Sequence, residues 1–401
     1  MAGEWITTMI GDQVTLQRGI DITKTQQRPG IVPVVSSGGI SSYHDTSFAK
    51  APGVVLGRKG TLGTVFYIQE DYWPHDTSLW VRDFHGNDAR FVYYFFKSIS
   101  PDLVALDVGT ANPALNRNHV HPIVVDWPPV PEQQAIARIL GALDDKIELN
   151  RRMNHTLEEM ARALFKSWFV DFDPVTAKAE GRVSFGMNAE TMSLFPAEFE
   201  ETGDDYFSEI PKGWTLKNLD DVASYENGLA LQKFPPKGIE SLPAIKIREL
   251  RQGFADESSD RVSPNIKASC ILEDGDIVFS WSGSLMIDLW CGGRGALNQH
   301  LFKVTSENYP KWFYYFWTEH HLVDFQDIAE GKATTMGHIQ RHHITSAKVV
   351  VPSDAVLEKA DKVFQPLLNS IIKNRIQIKT LATIRDALLP KLLSGELRVK
   401  G

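Results

Sequence analysis

The sequence predicts an α+β chain: two similar mixed α/β domains joined by two long antiparallel α-helices, a coiled-coil spacer in a pseudo-two-fold dumbbell. Three observations predict it. The chain repeats itself at a period near 220 residues, each copy ends in an apolar run closed by proline, and a long helical pattern follows each proline.

The repeat is read from matched residues. Trp5 and Ile10 match Trp214 and Leu219, Arg58-Lys59-Gly60-Thr61-Leu62 matches Trp281-Ser282-Gly283-Ser284-Leu285, and Tyr93-Tyr94-Phe95-Phe96 matches Tyr314-Tyr315-Phe316-Trp317. Residues 109–120 match 331–344 with a two-residue gap, and the closing runs are Ile123–Pro128 and Val349–Pro352. The offset grows from 209 to 221–224, so the second copy carries roughly a dozen extra residues early on. A period this long marks a duplicated domain, not a solenoid. Short strands between Gly/Pro/Ser turns are expected at 53–56, 64–68 and 78–81 in the first copy, and at 276–279 and 300–304 in the second. The aromatic runs near 91–97 and 311–317 read as short buried helices. The expected divisions are a first domain at 1–130, a helix at 131–172, an acidic connector at 173–205, a second domain at 206–352 and a second helix at 353–396.

In the first long helix Ile136, Leu140, Leu143, Ile147, Leu157, Ala161, Leu164 and Trp168 recur at steps of three and four, with Asn150 and Asn154 in the same register. Pro131 suits its first turn, Glu132 its positive end, and Asp173-Pro174 its stop. The second stripe is Val356, Ala360, Val363, Leu367, Leu381, Ile384 and Leu388, with Asn374 midway. Pro366 is expected to kink that helix or mark its start, and Gly395 to stop it. At 1.5 Å per residue each helix is about 60 Å long and needs a partner of equal length. Each is the other's natural partner, and chain order makes the pair antiparallel. A rigid rod of that length suits two heads on one duplex, whose turns repeat every ~34 Å.

Composition narrows the function. With 43% hydrophobic and 23% charged residues the chain can fill two or three cores. It has no apolar run of about 18 residues, and Met1–Ile10 does not read as a signal peptide. Cys270 and Cys291 are too few for a disulfide framework and read as free, packed thiols of a cytoplasmic protein. The net charge of −8 argues against a simple nucleic-acid binder. Much of the excess acid, however, sits at 171–205, where 9 Asp/Glu face 2 Lys/Arg, leaving the two domains near neutral. Any DNA affinity of the chain alone should be modest.

The segments Pro128-Pro129-Val130-Pro131-Glu132-Gln133-Gln134, Ile139 to Asn150 and Ala163 to Pro174 closely resemble the central conserved region of type I restriction-modification specificity subunits. Leu381 to Leu397 resembles their distal conserved region. Gly275 to Ser280 and Gly331 to Pro352 resemble stretches of their recognition domains. The resemblance covers nearly the whole chain. It implies two target-recognition domains, each reading one half of a bipartite double-stranded DNA target, and a spacer that docks two methyltransferase subunits. Endonuclease/translocase subunits join in the full complex. It implies no catalysis and no cofactor on this chain, with S-adenosylmethionine, ATP and Mg on the partner subunits.

Base reading needs Arg or Lys for guanine and Asn or Gln for adenine. The candidates in the first domain are Ser36 and Ser37 through a glycine-flanked turn, Arg58, Lys59 and Thr61 on a second turn, and Thr110, Asn112, Asn116 and Arg117 on a loop. In the second they are Lys246 and Arg248 on one strand face, Trp281, Ser282 and Ser284, Gln299 and His300, and Lys332, Thr334, Thr335, Gln340 and Arg341. Plain turns and solvated strand faces are the alternatives. Phe165, Trp168, Phe169 and Phe172 exceed what one helical seam covers; they suit either partner docking or burial under the second domain. Asn112-Pro113-Ala114-Leu115 lacks the second proline and the aromatic of an adenine-methyltransferase motif. The pairs His320-His321 and His342-His343 lack metal-ligand spacing and read as surface or DNA-facing; no metal site is expected. A self-contained methyltransferase or nuclease is opposed by these missing motifs. A protein-only coiled-coil scaffold is the remaining alternative.

Overall fold

In the computed structural model the described residues are 4–106, 114–184, 186–331 and 337–399. They separate into two units, Met1–Ile147 with Thr380–Gly401, and Glu148–Lys379. The first unit contains β1 (Ile6–Met9), α1 (Ile10–Gln13), β2 (Thr15–Arg18), β3 (Val32–Ser36), β4 (Gly39–His44), β5 (Gly53–Gly57), β6 (Val65–Ile68), β7 (Trp73–Pro74) and β8 (Ser78–Asp83). Then come α2 (Ala89–Ser98), α3 (Ser100–Ala105), α4 (Arg117–Val120), β9 (Val124–Trp127) and the start of α5 (Val130–Phe165).

Strands β2, β8, β5 and β6 form an antiparallel sheet in that order. A second sheet runs β4-β3-β7, with β3 and β7 parallel, and β9 returns to pair with β1. All five positions of β5 are buried, so its sequence is a continuous apolar run rather than an alternation. Helix α2 is capped by Asp88, whose side chain accepts from Phe91 N at 2.8 Å, and buries Phe91, Val92, Tyr94, Phe95 and Phe96. Trp127 closes this core at 4.7 Å from the Phe95 ring, and Ile136 and Leu140 of α5 complete it together with Leu389 and Leu392.

After α5 and a π-helical turn at Lys166–Val170, the second unit contains α6 (Asp173–Ala179), α7 (Ala189–Leu194), β10 (Phe199–Glu201) and β11 (Glu209–Pro211). Next are β12 (Thr215–Asn218), α8 (Leu219–Val222), β13 (Ser224–Asn227), β14 (Leu242–Ile245), α9 (Ile247–Gln252), β15 (Arg261–Val262), β16 (Ile271–Leu272) and β17 (Asp276–Ser280). The last are β18 (Met286–Trp290), β19 (Gly295–Leu297), β20 (Leu301–Thr305), α10 (Lys311–His320), α11 (Leu322–Gly331), α12 (Arg341–Ser346), β21 (Lys348–Val351) and α13 (Asp354–Leu393). The first unit's topology recurs. The sheet β13-β20-β17-β18 repeats β2-β8-β5-β6, the pair β12-β21 repeats β1-β9, and the parallel pair β14-β19 repeats β3-β7.

Within each unit the stretches of α5 and α13 run antiparallel. In the second unit Asn154 Nδ2 donates to the Ile371 carbonyl at 3.2 Å, Asn374 Nδ2 to Asn154 Oδ1 at 2.9 Å, and Asn150 Nδ2 to Gln377 Oε1 at 2.8 Å. In the first unit Arg385 meets Asp144 at 2.6 Å and Arg398 meets Glu132 at 2.7 Å. The buried stripe of α13 differs from the one expected. It runs Val356, Ala360, Phe364, Leu368, Ile371 and Asn374, then Leu389 and Leu392. Val363 and Leu367 are half-buried beside it, and Ile384 is exposed. Pro366 does not begin the helix, which runs unbroken from Asp354 to Leu393. Gly395 follows with a φ of +74°, the left-handed conformation that glycine adopts without steric cost.

Candidate nucleic-acid interface

The turns singled out in the first unit meet in space. At the β3–β4 turn Ser37 is buried and donates its N–H to Thr77 Oγ1 at 3.3 Å, while its carbonyl accepts from Thr64 Oγ1 at 2.6 Å. Ser36 Oγ takes the Gly38 N–H at 3.3 Å. Those two amides are spent on Thr77 and Ser36, so the expected backbone approach of this turn to phosphate loses them. Arg58 and Lys59 donate their N–H groups to the Thr77 carbonyl at 2.9 and 3.0 Å. Lys59 and Thr61 are exposed on a turn opened by Gly60, whose φ is +80°. Asn116 caps α4 and Arg117 begins it, so Arg117 lies on a short helix rather than in a loop. Thr110, Asn112, Lys332, Thr334 and Thr335 lie outside the described residues.

An open cleft of about 830 Å³ joins Arg58, Asn116 and Arg117 to Arg18, Arg82, Asp21 and Asp76, which the sequence reading did not single out. Arg18 pairs with Asp76 at 2.6 Å, and Arg58 Nη1 donates to the Asp76 carbonyl at 3.3 Å. Burial works against ionisation of Asp76, but the Arg18 hydrogen bond and the nearby His75 and Arg18 charges hold its carboxyl below the usual range. Burial and then repulsion from Arg18 lower the pKa of the Arg58 guanidinium. Beneath α4, burial and then the Arg117 charge push His121 down. A neutral His121 agrees with its Nε2 accepting the Leu16 N–H at 3.0 Å, a bond that ties α4 to β2.

The second unit builds the same frame from other side chains. Leu115 N–H bonds the Arg58 carbonyl at 3.0 Å, and Ile339 N–H bonds the Trp281 carbonyl at 3.0 Å. Arg58 therefore corresponds to Trp281, Asn116 to Gln340 and Arg117 to Arg341. Ser78 N–H bonds the His75 carbonyl, and Leu301 N–H bonds the Asn298 carbonyl, both at 2.9 Å, which makes Gln299 the counterpart of Asp76. The β2-β8 and β13-β20 registers set Arg18 against Asn227, while Arg82 sits at a bulge of β8 that β20 does not repeat. The repeat alignment around Gln299 was the signal that could have found Asp76.

Trp281 is half-buried, its ring 5.9 Å from Phe302 and 6.0 Å from His300. Ser282 is buried, contrary to a groove-facing role, and its hydroxyl meets His300 Nδ1 at 2.9 Å. Gln299 Nε2 lies 3.3 Å from His300 Nε2, and Ser284 is exposed. Gln340 caps α12, where its N–H meets His343 Nδ1 at 2.9 Å. Arg341 donates to the Tyr225 carbonyl at 2.7 Å and lies over the Phe302 ring.

Lys246 and Arg248 do not share a strand face: β14 ends at Ile245, Lys246 caps α9 and Arg248 lies on it. Lys246 pairs with Asp260 at 2.5 Å, and Arg248 with Glu249 at 2.7 Å. Phe165, Trp168, Phe169 and Phe172 are all buried in the second unit's core, with Phe165 5.4 Å from Phe316 and Phe169 5.5 Å from Trp312. Burial under the second domain, the alternative to docking, is what is observed. His321 and His343 are buried rather than groove-facing. His321 Nε2 meets the Lys348 carbonyl at 2.8 Å, and burial pushes His320 down to about 4. Cys270 and Cys291 are buried and free, with the Cys291 thiol raised by burial to about 11. Among the described residues no helix is long and apolar enough to cross a membrane.

The family model for the type I restriction modification DNA specificity domain matches residues 3–159 and 211–380, once for each copy of the repeat. The type I restriction enzyme MjaIX specificity subunit of Methanocaldococcus jannaschii is 30% identical over 329 residues, covering 79% of this chain and 70% of that protein. The type I restriction enzyme HindI specificity subunit of Haemophilus influenzae is 28% identical over 329 residues, covering 71% of each. The crystal structure of a type I restriction-modification system S subunit from M. genitalium shares the fold at a TM-score of 0.63 and 17% identity, over 97% of this chain and 96% of that one. The chain thus belongs to the family of type I restriction-modification DNA specificity subunits.

Proposed function

We propose that this chain is the DNA-reading subunit of a type I restriction-modification complex, each unit reading one half of a bipartite double-stranded target. It carries no catalytic step. In the cytoplasm, methyltransferase subunits dock on the helical stretches of α5 and α13 and endonuclease/translocase subunits join them. These partners bring S-adenosylmethionine, ATP and Mg. The observation that carries the reading is divergence on a common frame. Strand order and backbone bonds repeat, while Arg18, Arg58 and Asp76 of one unit are replaced by Asn227, Trp281 and Gln299 in the other. Two half-sites of different sequence require this: the same scaffold with different donors and acceptors presented to the groove.

Methylation mapping of host DNA with and without the chain tests it. One interrupted motif should vanish when the chain is removed. Exchanging residues 1–127 for the corresponding block of a relative should change one half of that motif and leave the other intact. A motif that survives removal, or that changes in both halves on exchange, refutes the reading.

A further inference from the structure

We infer that the arginine cleft of the first unit is a guanine-reading site, in which Arg58 forks onto the O6 and N7 of a guanine while Arg82 and Arg117 hold phosphates. This rests on the DNA-reading function proposed above and specifies the chemistry of one half-site.

Four arginines, Arg18, Arg58, Arg82 and Arg117, converge on this cleft in a chain whose net charge is −8. They differ in setting. Arg58 is half-buried and is anchored through Nη1 on the Asp76 carbonyl, with no carboxylate ion pair among the described residues. A planar fork held this way keeps its remaining N–H donors in a fixed direction, as bidentate recognition of a base edge requires. Arg82 and Arg117 are exposed and form no ion pair among the described residues, which suits mobile contacts to a phosphate backbone.

The acids separate a base from a phosphate as the partner of Arg58. Asp76 and Asp21 line the same cleft and offer carboxylate acceptors, for which a phosphate has no donor. A G·C pair satisfies both signs of charge. Guanine offers two acceptors to the arginine, and the amino group of its cytosine donates to a carboxylate. The second unit lacks this arrangement: Trp281 replaces Arg58, Asn227 replaces Arg18, and Arg341 is engaged by the Tyr225 carbonyl.

The test uses the assembled complex and its mapped target, with the half read by residues 1–127 identified by block exchange. Guanines of that half are replaced singly by 7-deazaguanine, which removes N7 without altering pairing. One replacement should weaken binding by about 10-fold or more. In the Arg58→Ala complex the same replacement should cost nothing further, and the motif should become degenerate at that position. Arg58→Lys, which keeps the charge but not the fork, should lose most of the discrimination. Arg82→Ala and Arg117→Ala should leave base preference intact and each reduce the slope of log affinity against log salt by about 1. A half-site without a G·C pair, an analogue series with no penalty, or a penalty that persists in Arg58→Ala overturns the inference. The analogue series uses unaltered protein, so it is decisive even if a variant misfolds. Absence of any interrupted motif would instead refute the underlying reading.

Discussion

Gly19 and Gly228 show how narrowly single residues constrain the recognition frame. A Cβ built on Gly19 would lie 2.0 Å from the His75 carbonyl oxygen, and one on Gly228 would lie 2.2 Å from that of Asn298. In each unit the strand that leaves the sheet must pass directly over the loop carrying Asp76 or Gln299, and a side chain there displaces backbone rather than a flexible tip. Gly19→Ala and Gly228→Ala should each destabilise their unit by about 1–3 kcal/mol. Each should also weaken reading of its own half-site, measured by chemical denaturation and by binding to duplexes altered in one half. Loss of both halves from either single substitution would disprove local action. At this scale the turn at 58–61 and the polar pair Asn116-Arg117 were legible, because glycine punctuation and the repeat mark them. Arg18 and Arg82 were not, because β2 and β8 bring them to the cleft only once the two strands pair.

At the scale of elements, α13 shows why a heptad pattern located the helix but misassigned its face. The expected seam passed through Val363 and Leu367, whereas Phe364 and Leu368 are the buried pair. Phe364 stacks on Trp312 of α10 at 4.5 Å, so the aromatic core of the second unit, not only the partner helix, sets the rotation. Lys246 and Arg248 depart from the expected strand for a related reason. Alternation over four residues looks like a strand, but the chain turns into α9 after Ile245. The polar clamp between α5 and α13 in the first unit titrates in a defined direction. Burial favours the neutral acid of Asp144, yet Arg385 and the Tyr94 hydroxyl more than offset this and hold the carboxyl below its usual range. A lowered folded-state pKa means stability that is present above the ordinary carboxylate range and lost as pH falls through the folded value. Asp144→Asn should therefore cost about 1–3 kcal/mol at neutral pH. The gap to the wild type should close in denaturation curves below about pH 4. A gap that is unchanged in acid would show that the charge is not its source.

For the whole molecule, charge and duplication act in opposite senses. A chain of net charge −8 repels a polyanion at long range, which favours local contacts with DNA over long-range attraction. The isolated chain should bind its target duplex no more tightly than non-specific binders do, with Kd of about 10⁻⁴–10⁻⁶ M at physiological salt. The assembled complex should bind far more tightly, and fluorescence anisotropy on one labelled duplex compares the two. Equal affinities would show that the chain carries all the binding energy itself. Two copies of one domain, two long helices and membership of the specificity family were all determined by the sequence alone, because repetition, periodicity and long motifs are properties of residue order. Which face of α13 is buried, that the aromatic end of α5 is core rather than docking surface, and that Arg18, Arg58, Arg82 and Arg117 share one cleft were decided only by tertiary structure. Each of these depends on what packs against a residue from elsewhere in the chain, and neither local pattern nor propensity encodes that.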